Sequence, residues 1–408
     1  MNYISSADIF RLVRDALSYI NPAPMSHGSR VGYIMGRMLE SQGRLEGFEI
    51  ADMVMMTVFH DIGVYATDDI NDRLRYEGRD FIPHSVYGYL FLRNYSPLGE
   101  TAKPILYHHM DYDKLNAMHV PEMEIASMVN LAEKVDLYST SLGDQFSLTM
   151  FNKMGGTHLS KQALDLMYQA ANKYDLVSRI RSLEYKPELE SILDYMLFTN
   201  ADKKKFMEML IYIIGLQDDL LMRRTMCCAS VAMQMCDQLI VEDTLRDYVY
   251  YAALVHDIGL IGLPEDADDE LYETHITLMN KICAGRLNQK IIDIAAAHHE
   301  RLDGSGYPKH LKTYQIDQEQ KILQIADRAA ELMIQKDPAF EPDRVEVMAK
   351  ILTEADLGKL DKPLVDVFNA NYSEISALAL KKVRDLTGTT KILNNQYLQL
   401  KEEYEKKE

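Results

Sequence analysis

The chain has 408 residues, too many for one ordinary core, so its length favours two domains of about 200 residues. Hydrophobic residues make up 47% and charged residues 26%, with only 20 glycines and 12 prolines, which excludes a disordered or collagen-like chain. Acidic residues outnumber basic ones by 62 to 44, giving a net charge of −18 without any Lys/Arg-rich run of five or more, which argues against a nucleic acid polymer as partner.

The first residues and the cysteines favour a cytoplasmic protein. "MNYISSADIF" lacks the basic stretch and apolar segment of a signal peptide, and no apolar run reaches the roughly 18 residues of a membrane span, so no membrane is expected as partner. The cysteines show no CxxC spacing and are expected to be reduced and packed as small hydrophobes. They are Cys227, Cys228, Cys236 and Cys283.

Helix signals dominate from the start of the chain. In "SHGSRVGYIMGRMLESQG", Ser26 is a candidate cap, apolar residues recur at helical spacing, and Gly43 supplies a stop. The next segment, "ADMVMMTVFHDIG", is apolar nearly all round between Asp52 and Gly63, as in a helix at the centre of a bundle. Strand-like alternation is scarce, so the sequence predicts an all-α protein.

Four short segments of the first half recur in the same order in the second half. This order predicts two tandem helical domains, over residues 1–200 and 201–408. The pairs are "VFHDIGVY" (58–65) with "LVHDIGLI" (254–261), His84 with His275, "ILYHHM" (105–110) with "AAAHHE" (295–300), and "MVNLAEKV" (128–135) with "ILQIADRA" (322–329).

Nine of the twelve histidines follow this order, because eight lie in the repeated segments and His27 precedes the first of them. A lone histidine at the end of an apolar helix is more often a hydrogen-bonded core residue than a ligand, but nine in a repeated order favour metal ligation. They are His27, His60, His84, His108, His109, His256, His275, His298 and His299.

Imidazole and carboxylate donors suit Fe, Mn, Zn, Co or Ni better than Mg or Ca. In an adjacent His-Asp pair, the imidazole can bind one metal while the carboxylate bridges to a second. Two metals about 3.5–4 Å apart can activate water and neutralise phosphoester oxygens. The pattern therefore predicts a phosphohydrolase in which Asp61 and Asp257 are the catalytic carboxylates.

The motifs resemble a known family. "HDIG" in both halves is similar to the HD phosphohydrolase superfamily, and "HHERLDGSGYP" at 298–308 resembles the signature of its HD-GYP subfamily. The resemblance implies an all-α phosphodiesterase with two divalent transition metals, Fe or Mn, in each competent site. It also implies a small cyclic dinucleotide as partner, with cyclic di-GMP favoured over cyclic GMP-AMP, and leaves a homodimer open.

Carried over by position, the resemblance implies a ligand set in each half. In the second half, Arg223 stands where the family has its first histidine, and arginine cannot ligate a metal. In the first half His27 fills that position, Glu133 stands at the last one, and Asp136 is a rival for that role. The implied ligands are His27, His60, Asp61, His84, His108, His109 and Glu133 in the first half, and His256, Asp257, His275, His298, His299 and Asp327 in the second.

Substrate contacts are expected in the second half. Either "DGSGYP" is simply a turn, or its loop orients the histidines while a side chain faces the ligand. A planar guanidinium at Arg223 also suits phosphate. Both halves lack the lysine that commonly follows "HDIG" in the family, having Val64 and Leu260 instead. The candidate substrate-binding residues are Arg223, Arg301, Gly306, Tyr307 and Pro308.

Each half thus lacks a family feature, which suggests a division of labour. The first half would keep the complete ligand set, and the second would keep the signature loop. Two alternatives stay open: a catalytically degenerate nucleotide-binding or signalling scaffold, and an HD hydrolase acting on another phosphoester such as a nucleotide.

Overall fold

The computed structural model describes residues 4–66, 82–264, 268–337 and 339–405. These residues form α-helices and short 3-10 segments, with two isolated β-bridges and no strand, which confirms the predicted all-α fold. The α-helices are α1 (Ser6–Ile20), α2 (Pro22–Gln42), α3 (Gly47–Val58), α4 (Ile82–Tyr95), α5 (Tyr112–Ala117), α6 (Met123–Leu142), α7 (Lys161–Tyr174), α8 (Leu176–Ser182), α9 (Tyr185–Leu193), α10 (Asn200–Gly215), α11 (Asp219–Gln238), α12 (Asp243–Val255), α13 (Asp269–Glu273), α14 (His275–Cys283), α15 (Gln289–Ala296), α16 (Gln318–Met333), α17 (Arg344–Asp356), α18 (Lys362–Ala370) and α19 (Tyr372–Glu405).

The chain folds into two compact units, and each unit includes a short segment from the opposite end of the chain. The N-terminal unit consists of Asn21–Met209 with Leu393–Glu408, and the C-terminal unit consists of Met1–Ile20 with Leu210–Ile392. The division at residue 200, drawn from the repeated segments, stays a prediction beside these bounds.

Helix α1 belongs to the C-terminal unit because its apolar face packs there. Phe10 and Leu12 are fully buried, and the helix lies against α14 and the 3-10 segment Ile258–Gly262. Asp15 also accepts two hydrogen bonds from Arg286, at 3.0 and 3.2 Å. No repeated segment includes α1, so the sequence pattern gives no reason to group this helix with the second half of the chain.

In the N-terminal unit, α2 packs against α3, α6, α7 and α9. Gly28 makes the close approach to α3 feasible, because a Cβ there would lie 2.0 Å from the carbonyl oxygen of Val58. In the C-terminal unit, α11 packs against α12 and α16, and α15 packs against α12. In the described part of the chain, no helix is both long and apolar enough to cross a membrane.

Candidate metal centres

Each His-Asp pair lies directly after the C-terminal end of a buried helix. His60 and Asp61 follow α3, and His256 and Asp257 follow α12. The Nδ1 atom of His60 lies 2.8 Å from the carbonyl oxygen of Thr57, and that of His256 lies 2.9 Å from the carbonyl oxygen of Ala253. Since a carbonyl only accepts, each ring donates from Nδ1 and keeps its Nε2 lone pair for a metal.

In the N-terminal unit, seven predicted ligands gather in two groups of donors. The two oxygens of Asp61 face different histidines: Oδ1 lies 3.6 Å from Nε2 of His84, and Oδ2 lies 3.6 Å from Nε2 of His60. The two oxygens of Asp61 therefore face one histidine in each group. Within each group the donor atoms lie within 4.8 Å of one another, and the groups are Asp61, His84, His108 and His109, and His27, His60 and Glu133.

The C-terminal unit has the same arrangement with one new member, Cys228. Asp257 again faces both ways: Oδ1 lies 3.4 Å from Nε2 of His298, and Oδ2 lies 3.3 Å from Nε2 of His256. The donor groups, each again within 4.8 Å, are Asp257, His275, His298 and His299, and Cys228, His256 and Asp327.

The donors of the C-terminal unit fit divalent cations. Among the described residues, Oδ1 of Asp257, Oδ2 of Asp327 and Nε2 of His299 are buried without a hydrogen-bond partner. The Nε2 atoms of His275 and His298 lie 3.2 Å apart, although each ring donates from Nδ1 to a carbonyl oxygen. Two Nε2 lone pairs that face each other repel, and a buried carboxylate oxygen without a hydrogen bond is unfavourable. A bound cation would relieve both.

Burial keeps several imidazoles neutral, which is the state that binds metal. It lowers the pKa of His299 to about 2 and, more moderately, that of His275. In the N-terminal unit, burial together with nearby His108 and His84 holds the pKa of His109 well below its usual range.

The pKa values of the two carboxylates in the donor groups of the C-terminal unit, Asp257 and Asp327, are lowered. Burial alone would raise the pKa of Asp257, but His256 and His298 outweigh it and hold that pKa well below the usual range. Burial also opposes a charge on His256, yet Asp257 and Asp327 raise the pKa of its ring well above the ordinary value.

The glycine of each "HDIG" motif sets the distance to the next histidine. A Cβ at Gly63 would lie 2.1 Å from the carbonyl oxygen of His84, and one at Gly259 would lie 2.0 Å from that of His275. Any side chain would push the helix that carries the histidine away from the His-Asp pair. The motif therefore needs glycine for packing as much as it needs His and Asp for ligation.

Gly259→Ala is expected to destabilise the C-terminal unit by about 1–3 kcal/mol through overpacking, and to lower its metal content by separating His275 from Asp257. Chemical unfolding and elemental analysis of the purified variant measure both effects. The matched control is Gly388→Ala, because a Cβ at Gly388 would contact nothing within 4 Å. Equal metal content in the two variants would contradict the expectation.

Asp136 orients a ligand and is itself absent from the donor groups. It is fully buried and accepts from Nδ1 of His27 at 2.7 Å and from Arg30 at 2.5 and 2.9 Å. Burial opposes ionisation, but these donors hold the pKa of Asp136 below its usual value. The geometry favours Glu133 over Asp136 as the last ligand, and Asp136 fixes the tautomer of His27.

Arg223 lies outside the donor groups. Its Nε donates to Asp219 at 2.6 Å, and its terminal nitrogens donate to the carbonyl oxygens of Gln335 and Lys336 at 3.0 and 3.3 Å. The guanidinium thus fastens α11 to the segment after α16. These contacts favour a structural role over the predicted phosphate contact.

The loop from Glu300 to Leu311 is held by a buried glutamate that the sequence prediction left without a role. Glu300 is completely buried, and its two carboxylate oxygens accept from the backbone N–H groups of Lys309 at 2.6 Å and Leu311 at 2.8 Å. Arg301 donates to the carbonyl oxygens of His298 and Glu300 at 3.0 and 2.9 Å. Both side chains tie the loop to the two adjacent histidines.

The Gly-Tyr-Pro segment lies directly against His299. The rings of Tyr307 and His299 are 4.8 Å apart and inclined by 31°, and Tyr307 N–H donates to the carbonyl oxygen of His299 at 3.2 Å. A Cβ at Gly306 would lie 2.3 Å from the amide nitrogen of Arg301. Pro308 follows on the exposed side through a cis peptide bond. The loop therefore orients His299, and a ligand role for Tyr307 stays a prediction.

Comparisons with known proteins agree with this architecture. A model described as HD domain matches residues 208–362. The chain is 23% identical over 404 residues to 3′3′-cGAMP-specific phosphodiesterase 1 of Vibrio cholerae, covering 91% of this chain and 93% of the relative. It is 33% identical over 143 residues to a cyclic di-GMP phosphodiesterase of Thermotoga maritima, covering 31% of this chain and 38% of that relative.

A solved structure shows the same fold. A cyclic GMP-AMP specific phosphodiesterase of V. cholerae superimposes with a TM-score of 0.54 at 14% identity, covering 90% of this chain and 97% of that chain. Residues 208–362 therefore match an HD domain, and the named relatives support the resemblance of the motifs to the HD-GYP family.

Proposed function

We propose that this chain is a metal-dependent phosphodiesterase that hydrolyses a cyclic dinucleotide to a linear product. The observation that carries the proposal is Asp257, whose two oxygens face two donor groups beside the Gly-Tyr-Pro loop. Relatives with phosphodiesterase names support the same class, one of them over nearly the whole chain.

The donor groups of both units are already arranged for this reaction. Two divalent metals, with Fe or Mn proposed, would lower the pKa of a water molecule and neutralise charge on the phosphate oxygens. Asp257 and Asp61 hold the centre of each donor set, while the histidines are fixed by hydrogen bonds from Nδ1 to backbone carbonyls. Such preorganisation removes the cost of reorienting donors during the reaction.

Cyclic di-GMP and 3′3′-cyclic GMP-AMP are both proposed substrates. Cyclic di-GMP is the prediction made from the motifs, and the T. maritima relative carries that name. The relative that matches nearly the whole chain is named for 3′3′-cyclic GMP-AMP. The two compounds differ only in one purine base and contain the same kind of phosphodiester bond, so the same hydrolysis reaction would apply to both.

Purified without chelator, the chain is expected to contain first-row transition metal and to convert at least one of the two cyclic dinucleotides to linear product. Elemental analysis and chromatography of the reaction mixture measure these results. Removing the metal is expected to abolish turnover, and adding Mn²⁺ or Fe²⁺ is expected to restore it. A preparation with neither metal nor linear product would contradict the proposal and favour a nucleotide-binding scaffold.

A further inference from the structure

We propose that Cys228 is a metal ligand of the C-terminal unit, in the role that His27 has in the N-terminal unit. The inference rests on the proposed metal dependence. It adds a sulfur donor, and so a different metal preference, to one of the two units.

The sequence position that corresponds to His27 is closed to a metal in the C-terminal unit. His27 lies 33 residues before His60, and the residue 33 before His256 is Arg223. The guanidinium of Arg223 is directed to Asp219 and to two backbone carbonyls. The donor group would therefore lack its first member unless another residue of α11 supplied it.

Cys228 supplies that member from another face of α11. At 3.6 residues per turn, positions 223 and 228 differ by roughly 140° around the helix axis. The Cys228 side chain is completely buried, and its Sγ lies within 4.8 Å of donor atoms of His256 and Asp327. His256 and Asp327 occupy the places of His60 and Glu133, so the trio matches His27, His60 and Glu133 member for member.

A second observation also indicates a cation at this position. Oδ2 of Asp327 is buried and has no hydrogen-bond partner among the described residues, and its Oδ1 lies 3.4 Å from Nε2 of His256. A buried carboxylate oxygen without a partner, beside a thiol and an imidazole, forms a set of electron-pair donors that suits a bound cation. Cys227, the neighbouring thiol, belongs to no donor group in the described residues.

Coordination by Cys228 needs no oxidant. The thiol loses its proton to solvent as the sulfur lone pair forms the bond to the divalent metal, so one proton is released for each bond. Thiolate is a softer ligand than imidazole or carboxylate and favours Zn²⁺, Co²⁺ or Fe²⁺ over Mn²⁺. The C-terminal unit is therefore expected to select against Mn²⁺ more strongly than the N-terminal unit.

Replacing the metal with Co²⁺ tests the inference without measuring activity. The full-length wild-type protein is expected to show a near-ultraviolet thiolate-to-cobalt charge-transfer band together with visible d–d bands. The charge-transfer band is expected to persist in Cys227→Ala and to disappear in Cys228→Ala. The d–d bands are expected in all three proteins, because the two donor groups found among the described residues of the N-terminal unit contain no cysteine and are unchanged by these substitutions.

X-ray absorption at the cobalt edge of the wild-type protein gives a second test that needs no substitution. A sulfur shell near about 2.3 Å supports a Cys ligand. Visible d–d bands without a charge-transfer band, or a charge-transfer band that survives in Cys228→Ala, would overturn the role of Cys228 and leave the proposed function intact. Absence of any bound cobalt would overturn both.

Discussion

Asp257→Ala is expected to lower the rate of cyclic dinucleotide hydrolysis by roughly 100-fold or more, whereas Asp61→Ala should retain most of the activity. Both residues bridge two donor groups, but only Asp257 also lies beside the loop that orients His299. Loss of this carboxylate would remove one donor that either group could offer to a bound metal. Product formation by the two variants, measured at equal protein concentration, compares the units directly.

The two substitutions are matched, since Asp61 and Asp257 occupy the same position in the repeated motif. Equal losses would show that both units turn over substrate. Loss confined to Asp61→Ala would assign catalysis to the N-terminal unit, as the hypothesis of divided labour implies. That hypothesis rested on the arginine at position 223, and the proposed role of Cys228 removes the gap that the arginine left.

Glu300→Gln is expected to destabilise the C-terminal unit by about 1–3 kcal/mol and to lower turnover between about 10- and 100-fold by displacing His299. The Glu300 carboxylate accepts from two backbone N–H groups, of Lys309 and Leu311. A glutamine has only one acceptor oxygen, so one buried N–H would face an amide NH₂ group. Denaturant unfolding and steady-state kinetics measure the two effects.

Asp303→Asn provides the control for this substitution within the same loop. Asp303 is exposed and accepts from the N–H of Ser305 at 2.9 Å, and its replacement is expected to change stability by less than about 0.5 kcal/mol. If Glu300→Gln matched this control in both stability and turnover, the loop would be held by other contacts than the buried glutamate.

The sequence allowed the helical class and the order of the donor residues to be predicted, because both follow from local patterns. Apolar residues at helical spacing identify the buried helices. The HD pairs could be placed at helix ends because glycine follows two residues later in both halves. The sequence predicted that the carboxylate of each His-Asp pair serves a second metal, and the separate directions of its two oxygens were seen only in the structure.

Features that depend on how one helix is turned against another were not predictable. Cys228 was expected to be a small core hydrophobe. The sequence does not show how α11 is rotated about its axis, and this rotation places the Sγ atom near His256. Asp136 and Glu133 lie one turn apart on α6, and the contacts of Asp136 with His27 and Arg30 distinguish the two carboxylates. Sequence adjacency likewise says nothing about α1, whose partners lie more than 200 residues away.

The placement of α1 has a consequence for synthesis of the chain on the ribosome. Helix α1 emerges before residues 210–392, with which it packs, and the whole of 21–209 is made in between. At ordinary elongation rates, Phe10 and Leu12 stay without their native cover for on the order of tens of seconds. The nascent chain therefore presents a short amphipathic helix to chaperones while the N-terminal unit is still being made.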